Sequence, residues 1–169
     1  ADDSTLIAEL RVKANAGDAE AQYQLGLKHL KTFKYVTDNY DEIAKQNFEA
    51  EKWIHRAAEQ GHVLAQYELG KIYFPDNQHL YGFTEEVWRS REQARKNVHP
   101  DSLESARGDY GIPYGIDAEK WLTKAAEKGL PEAQVSLALL YMWGHGRSGN
   151  YLTGICWLEK AAEQDYTPA

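Results

Sequence analysis

An all-α array of antiparallel helix hairpins, broken by one long irregular insertion, is the fold this sequence predicts, and three observations predict it. The first is recurrence: AEKWLTKAAEKGLPEAQVSLALLY at Ala118 to Tyr141 returns as AEKWIHRAAEQGHVLAQYELGKIY at Ala50 to Tyr73, and in part as GICWLEKAAEQDYTPA at the end of the chain. The second is helical spacing within the recurring unit, with apolar residues four, seven and eight positions apart on one face. The third is brevity of the joins, since a glycine and one or two residues separate consecutive helices and force them to run antiparallel.

Taken in order, Thr5 to Ala16 carries Leu6, Leu10 and Lys13-Ala14 ahead of Gly17, which predicts half a repeat: one helix closed by a left-handed glycine. From Ala19 a first helix follows, with Ala21, Leu25 and Lys28-His29 standing where later copies have Ala65, Leu69 and Ile72-Tyr73, and Ala133, Leu137 and Leu140-Tyr141. The second helix of a hairpin is marked by Ala118, Trp121, Leu122 and Ala125, matched by Ala50, Trp53, Ile54 and Ala57, with Trp157 as a third indole. Large indoles beside the alanine pairs Ala57-Ala58, Ala125-Ala126 and Ala161-Ala162 predict close approach between neighbouring helices. Gly61 and Gly129 end this helix, and Pro131 suits the first turn of the next.

Trp121 and Trp157 lie 36 residues apart, Trp53 and Trp121 lie 68 apart, and Gly17 and Gly61 lie 44 apart. With 36 as the period, a short insertion falls within 33–47 and a long one within about 74–116, dividing a single domain of 1–169 into a half repeat at 5–17 and repeats at about 18–61, 62–129 and 130–165. The short insertion is expected to be an extended loop. The long one holds Pro75, Pro100 and Pro113 and cannot be one continuous helix, although Thr84 with Glu85-Glu86 can start a helix over TEEVWRSREQARKN, and Asp101 to Arg107 can add a further short turn.

The run AxxxLGxxY followed by WxxxAAxxG resembles the Sel1-like repeat family, relatives of the tetratricopeptide repeats. The residues that carry the resemblance are Ala65, Leu69, Gly70, Tyr73, Trp53, Ala57, Ala58 and Gly61, and again Ala133, Leu137, Tyr141, Gly144, Gly146, Trp121, Ala125, Ala126 and Gly129. His29 in place of Tyr, Ala138 in place of Gly, and Asp165 in place of Gly depart from the pattern. The resemblance implies a right-handed α-solenoid whose concave surface, lined by first helices, binds other proteins. Positions carried over to that groove are Tyr23, Leu27 and Leu30, then Tyr67, Lys71 and Phe74, then Val135, Leu139, Met142 and Trp143, and the long insertion adds Tyr81 and Trp88. Such a set would make a protein-contact patch if exposed together, or would be ordinary core if covered by neighbouring repeats. Members of the family act as adaptors in signalling and secretion, and some are immunity proteins against secreted toxins.

Bulk properties narrow the function further. No apolar run approaches the roughly 18 residues a membrane span needs, so the chain is not expected to cross a membrane. A net charge of −7, with 19 basic residues dispersed among 26 acidic ones, argues against nucleic acid and anionic membrane as partners. The lone Cys156 has no thiol to pair with and is expected to be a small buried hydrophobe. An Ala-Asp-Asp start fits a periplasmic or otherwise exported protein, with a cytoplasmic one as the alternative.

Catalytic patterns are weak throughout. Gly144-His-Gly146-Arg-Ser-Gly149 spells GxGxxG but follows a predicted helix rather than a strand, so it is expected to be a hairpin loop and not a phosphate cradle. The six histidines lack HExxH spacing, no GxSxG occurs, and no cofactor or metal is expected. His99, Asp101, Glu104 and Asp109 in the insertion hold the alternative of an enzyme site there. The favoured expectation is a non-enzymatic module that binds another protein, a toxin or secretion-system component, through the concave face and the insertion. An acidic rim of Asp38, Asp41, Glu42, Glu85, Glu86 and Glu132 would steer a basic partner. A scaffold fragment of a longer array is the other reading.

Overall fold

The structure, a computed structural model, describes residues 3–30, 40–74, 114–143 and 150–165. Among the described residues there are seven helices and no strand: α1 (Asp3–Asn15), α2 (Ala19–His29), α3 (Tyr40–Glu59), α4 (Val63–Ile72), α5 (Tyr114–Glu127), α6 (Pro131–Met142) and α7 (Tyr151–Ala162). Each helix packs on the next in the chain, and α4 also touches α6, which is the neighbour pattern of an α-solenoid. The first helices of the hairpins are α2, α4 and α6, and the second are α3, α5 and α7.

The glycine stops fold as the sequence predicts. Gly17, Gly61 and Gly129 take φ of 97°, 89° and 88°, so the chain reverses while the last carbonyls of the helix stay bonded. At Gly61 the N–H donates to the Ala58 carbonyl and the His62 N–H to Ala57, and the same pair of bonds recurs at Gly17 and Gly129. Asp165, the departure from glycine, adopts φ 56° and donates its N–H to Ala162, so the fourth turn keeps its geometry on a residue that tolerates the left-handed region.

Helix starts differ from repeat to repeat. Asp18 Oδ1 accepts the Ala21 N–H at 2.7 Å, His62 Nδ1 accepts the Ala65 N–H at 3.1 Å, and Asn150 Oδ1 accepts the Thr153 N–H at 3.1 Å. Leu130 supplies no such bond, and α6 instead opens on Pro131, whose missing N–H removes one donor that would need a partner.

Inside the hairpins, small residues set the spacing. A Cβ on Gly70 would sit 2.5 Å from both Cγ and Cδ2 of Leu122, and one on Gly26 would sit 3.0 Å from the Ala50 carbonyl oxygen. In the third hairpin Ala138 replaces that glycine, and the small residue moves across the interface: a Cβ on Gly154 of α7 would lie 3.0 Å from the Ala138 carbonyl oxygen. The register makes this an exchange, because Gly154 stands where the earlier second helices have Ala50 and Ala118. Glycine and alanine have traded sides while the helices still pack closely. The core runs along the seam through Ile54, Leu69, Ile72, Trp121, Leu122 and Leu137, and a smaller cluster of Ala14, Ala21, Leu25 and Trp53 closes the amino-terminal end. Full burial of one such large apolar side chain stabilises by about 1.5–3 kcal/mol.

Three expectations are corrected. Residues 40–47, expected in an extended loop, form the first two turns of α3, which runs to 20 residues where α7 has 12. Tyr114–Ile116, placed in the long insertion, are the opening of α5. Cys156 is exposed rather than buried, because it points away from α6, the helix that α7 packs on. The possible helices in TEEVWRSREQARKN and Asp101 to Arg107, and the Gly144 to Gly149 loop, lie outside the described residues.

Candidate protein-binding site

The first helices α2, α4 and α6 carry the predicted groove positions at one shared register, and the structure divides those positions into core and surface. Tyr23 is only 7% exposed, with its ring tilted against His62 at a centroid distance of 4.7 Å. Burial first, then the nearby Glu68 and Glu20 carboxylates, push its phenol up to about 12. Phe74 is likewise 7% exposed and meets Trp143 edge-on at 6.1 Å. These two aromatics therefore belong to the core, as does much of Leu27, Leu30 and Leu139, which pack against it from half-buried positions.

What remains at the surface is a smaller set. Tyr67 is half-buried, with the Lys71 ammonium 5.0 Å above its ring and 2.7 Å from Glu68, so this part of α4 presents an aromatic edge beside a held cation. Val135 and Met142 on α6 are half-buried, and Trp143 at the end of α6 is 54% exposed. Met142 also lies over Gly154, and Trp143, the C-cap of α6, leans on Phe74, so both are held by protein on one side. Tyr81 and Trp88 lie outside the described residues, as do His99, Asp101, Glu104 and Asp109. Of the acidic rim, Glu132 in the first turn of α6 is half-buried, while Asp38, Glu85 and Glu86 lie outside the described residues.

The sequence reading missed a ladder of glutamines that fixes the scaffold behind this face. Gln22, Gln66 and Gln134, all buried, donate Nε2–H bonds to the carbonyls of Ala14, Ala58 and Ala126 at 2.9, 3.0 and 3.2 Å. Each bond ties a first helix to the second helix of the preceding repeat. The oxygen of Gln22 accepts from Gln60 at 2.7 Å, and that of Gln134 from Gln164 at 2.9 Å. The middle repeat has Lys128 at the equivalent place, and its ammonium instead takes the Gly61 carbonyl at 2.5 Å. The signal was present as the Ala-Gln pair that opens every first helix. A second set of rungs joins Tyr73 to Glu51 and Tyr141 to Glu119, the latter at 2.8 Å. The tryptophans of the second helices carry cations, Arg56 over Trp53 at 4.9 Å, Lys120 and Lys124 over Trp121 at 4.9 and 4.6 Å, and Lys160 over Trp157 at 4.1 Å.

Among the described residues no group of three or more His, Cys, Asp or Glu side chains is placed to hold a metal ion. No described helix is long and apolar enough to cross a membrane.

Stacked helix hairpins that leave one row of first-helix positions partly open define an α-solenoid. The Sel1 repeat profile matches residues 19–62, 63–77, 107–130 and 131–166, and the chain belongs to the Sel1 repeat family. Proteins of this family mediate protein–protein interactions and are typically non-enzymatic. A protective antigen of uropathogenic Escherichia coli with an SLR fold is 29% identical and superposes with a TM-score of 0.59, over 95% of this chain and 26% of that one. A Sel1 repeat protein from Oxalobacter formigenes shares the fold with a TM-score of 0.59 at 22% identity, covering 93% of this chain and 89% of that one. An uncharacterized protein of Neisseria meningitidis serogroup B is 32% identical over 83 residues, which are 48% of this chain and 18% of that protein. The chain thus spans about a quarter of the E. coli relative and under a fifth of the Neisseria one.

Proposed function

We propose that this chain is a non-enzymatic protein-binding module whose partner seats on the first-helix row at Tyr67, Lys71, Val135, Met142 and Trp143. The observation that carries the reading is Trp143: a half-exposed indole with buried Phe74 behind it, next to half-buried Met142. Large aromatics fixed by a neighbour lose little freedom on binding, and for that reason they dominate interface energetics. The finer reading is that of an exported or periplasmic protein that neutralises a secreted bacterial toxin, supported by the net charge of −7, which would favour a basic partner.

Affinity capture from envelope and soluble fractions of the native organism tests the module reading, with Tyr67→Ala/Trp143→Ala protein run beside the unaltered chain. A partner retained by the unaltered chain and lost from the double variant, which keeps its helical signal, is the expected outcome. Equal retention by both would remove this row from the site. The finer reading predicts that the captured protein is toxic when produced alone in the compartment where the pair meets and harmless with this chain present. It also predicts an association rate that falls as salt is raised. A non-toxic signalling or secretion component would leave the module reading and replace the finer one with an adaptor.

A further inference from the structure

His62 caps α4 with a ring nitrogen, and this gives one junction of the array a chemistry the others lack. Its Nδ1 lies 3.1 Å from the Ala65 amide nitrogen, so Nδ1 holds a lone pair and accepts that N–H. The ring proton then sits on Nε2, which donates to Glu20 Oε2 on α2 at 2.8 Å. The same ring packs on Tyr23 at 4.7 Å. One neutral imidazole therefore caps the second repeat's first helix and ties it to the first repeat's. Asp18 does the capping at α2, and Leu130 makes no side-chain bond at α6.

We propose that His62 is an acid-sensitive joint between the first two repeats: protonation of Nδ1 turns the acceptor facing the Ala65 N–H into a donor and uncaps α4. The surrounding groups decide which contact is lost. Glu20 from α2 favours the imidazolium and keeps its bond to Nε2–H, and the hydrogen bond from His62 already holds the Glu20 carboxyl below the usual carboxylate range. Opposing it are the amide end of α4 and the Lys128 ammonium, bonded to the Gly61 carbonyl one residue before His62. Of the acids on the adjoining helices, Glu59 of α3 is taken up by His55 at 3.4 Å and Glu68 of α4 by Lys71 at 2.7 Å. The Tyr23 phenol, pushed up to about 12, stays neutral in acid. The Glu20 contact thus survives acidification and the cap does not. The loosened turn, Val63–Gln66, immediately precedes Tyr67.

Nuclear magnetic resonance of the 15N-labelled chain tests this without knowledge of any partner. The imidazole nitrogens of His62 should report the Nε2–H form while the ring is neutral, and across a series of samples taken from about pH 7.5 to about pH 5 the Ala65 amide shift should move in step with protonation of that ring. Exchange protection at Ala65, corrected for intrinsic rates, should fall about fivefold over the same range, the fold-change that loss of a typical cap produces. Protection at Gln134 in the α6 junction should hold steady. His62→Asn, which can cap but cannot titrate there, should make Ala65 insensitive to the same change. An Nδ1–H tautomer at neutral pH, an Ala65 amide indifferent to the His62 ring, or an equal response in His62→Asn would each overturn the proposal.

Discussion

In α5, Trp121 is 1% exposed and Leu122 and Ala126 are buried, whereas at the equivalent positions of α7 Trp157 and Leu158 are half-buried and Ala162 is exposed. The letters match and the local helix is the same, so the difference is not in the residues. It lies in the neighbours: α5 is gripped by α4 on one side and α6 on the other, while among the described residues α7 packs in the main on α6. A second helix of this array is completed only by the first helix of the following repeat, so stability is assembled from repeat interfaces as much as from single repeats.

The largest expected effect breaks the comparison at its centre. Trp121→Ala should destabilise by about 3–5 kcal/mol and Trp157→Ala by roughly half as much, because the second indole has less packing to lose. Denaturant melts would decide it, and equal losses would mean that the flank of α7 is as well covered as that of α5. Next, Gly70→Ala should cost about 1–2 kcal/mol, since the added methyl meets Leu122 near its branch point, even though alanine favours the helix. Ala138→Gly, at the same place in the last described hairpin, adds no clash but loses both the helix preference and a buried methyl, about 1–2 kcal/mol in all.

A smaller contrast lies in the glutamines. Gln134→Leu removes a bond to the Ala126 carbonyl and another from Gln164, whereas Gln66→Leu removes only the bond to Ala58 among the described residues. The first should cost about 1–2 kcal/mol and the second about 1 kcal/mol or less, read from the same melts. The smallest effect concerns the exposed Glu20. Its carboxyl is lowered, chiefly by His62 and then by Gln24, so its contribution is present above the unfolded carboxylate range and fades as pH falls through the lower folded value. Comparing Glu20→Gln with the unaltered chain across pH 3–6, about the range in which carboxylates titrate, should show the two stabilities converging at the acid end.

Much of the scaffold was legible in the sequence because stacking imposes fixed residue types at fixed spacing. Trp121, the alanine pairs and the glycine stops are each demanded by a local geometry that recurs. The binding row was less legible. Tyr23 and Tyr67 occupy one register position, yet one is buried against His62 and the other is half-buried beneath Lys71, because cover comes from the adjoining repeat and not from the helix itself. The glutamine ladder escaped notice for a related reason: a polar letter after alanine looks like a solvated position until the preceding repeat's carbonyl is seen opposite it. The opening of α3 was obscured because the 36-residue period marks extra residues as insertion without saying whether they lengthen a helix or a loop.

The glycine–alanine exchange in the last hairpin constrains how such an array can have diverged. A sequence with Gly on the first helix and Ala on the second cannot reach the reverse arrangement in one step. One intermediate places alanine on both sides, where in the present packing a methyl on Gly154 would lie 2.7 Å from the Met142 Cγ and 3.0 Å from the Ala138 carbonyl oxygen. The other places glycine on both sides, which leaves a gap but no collision. The passable order is therefore loss of the old methyl before gain of the new one, so duplicated repeats would drift through looser hairpins and tighten again in mirror form.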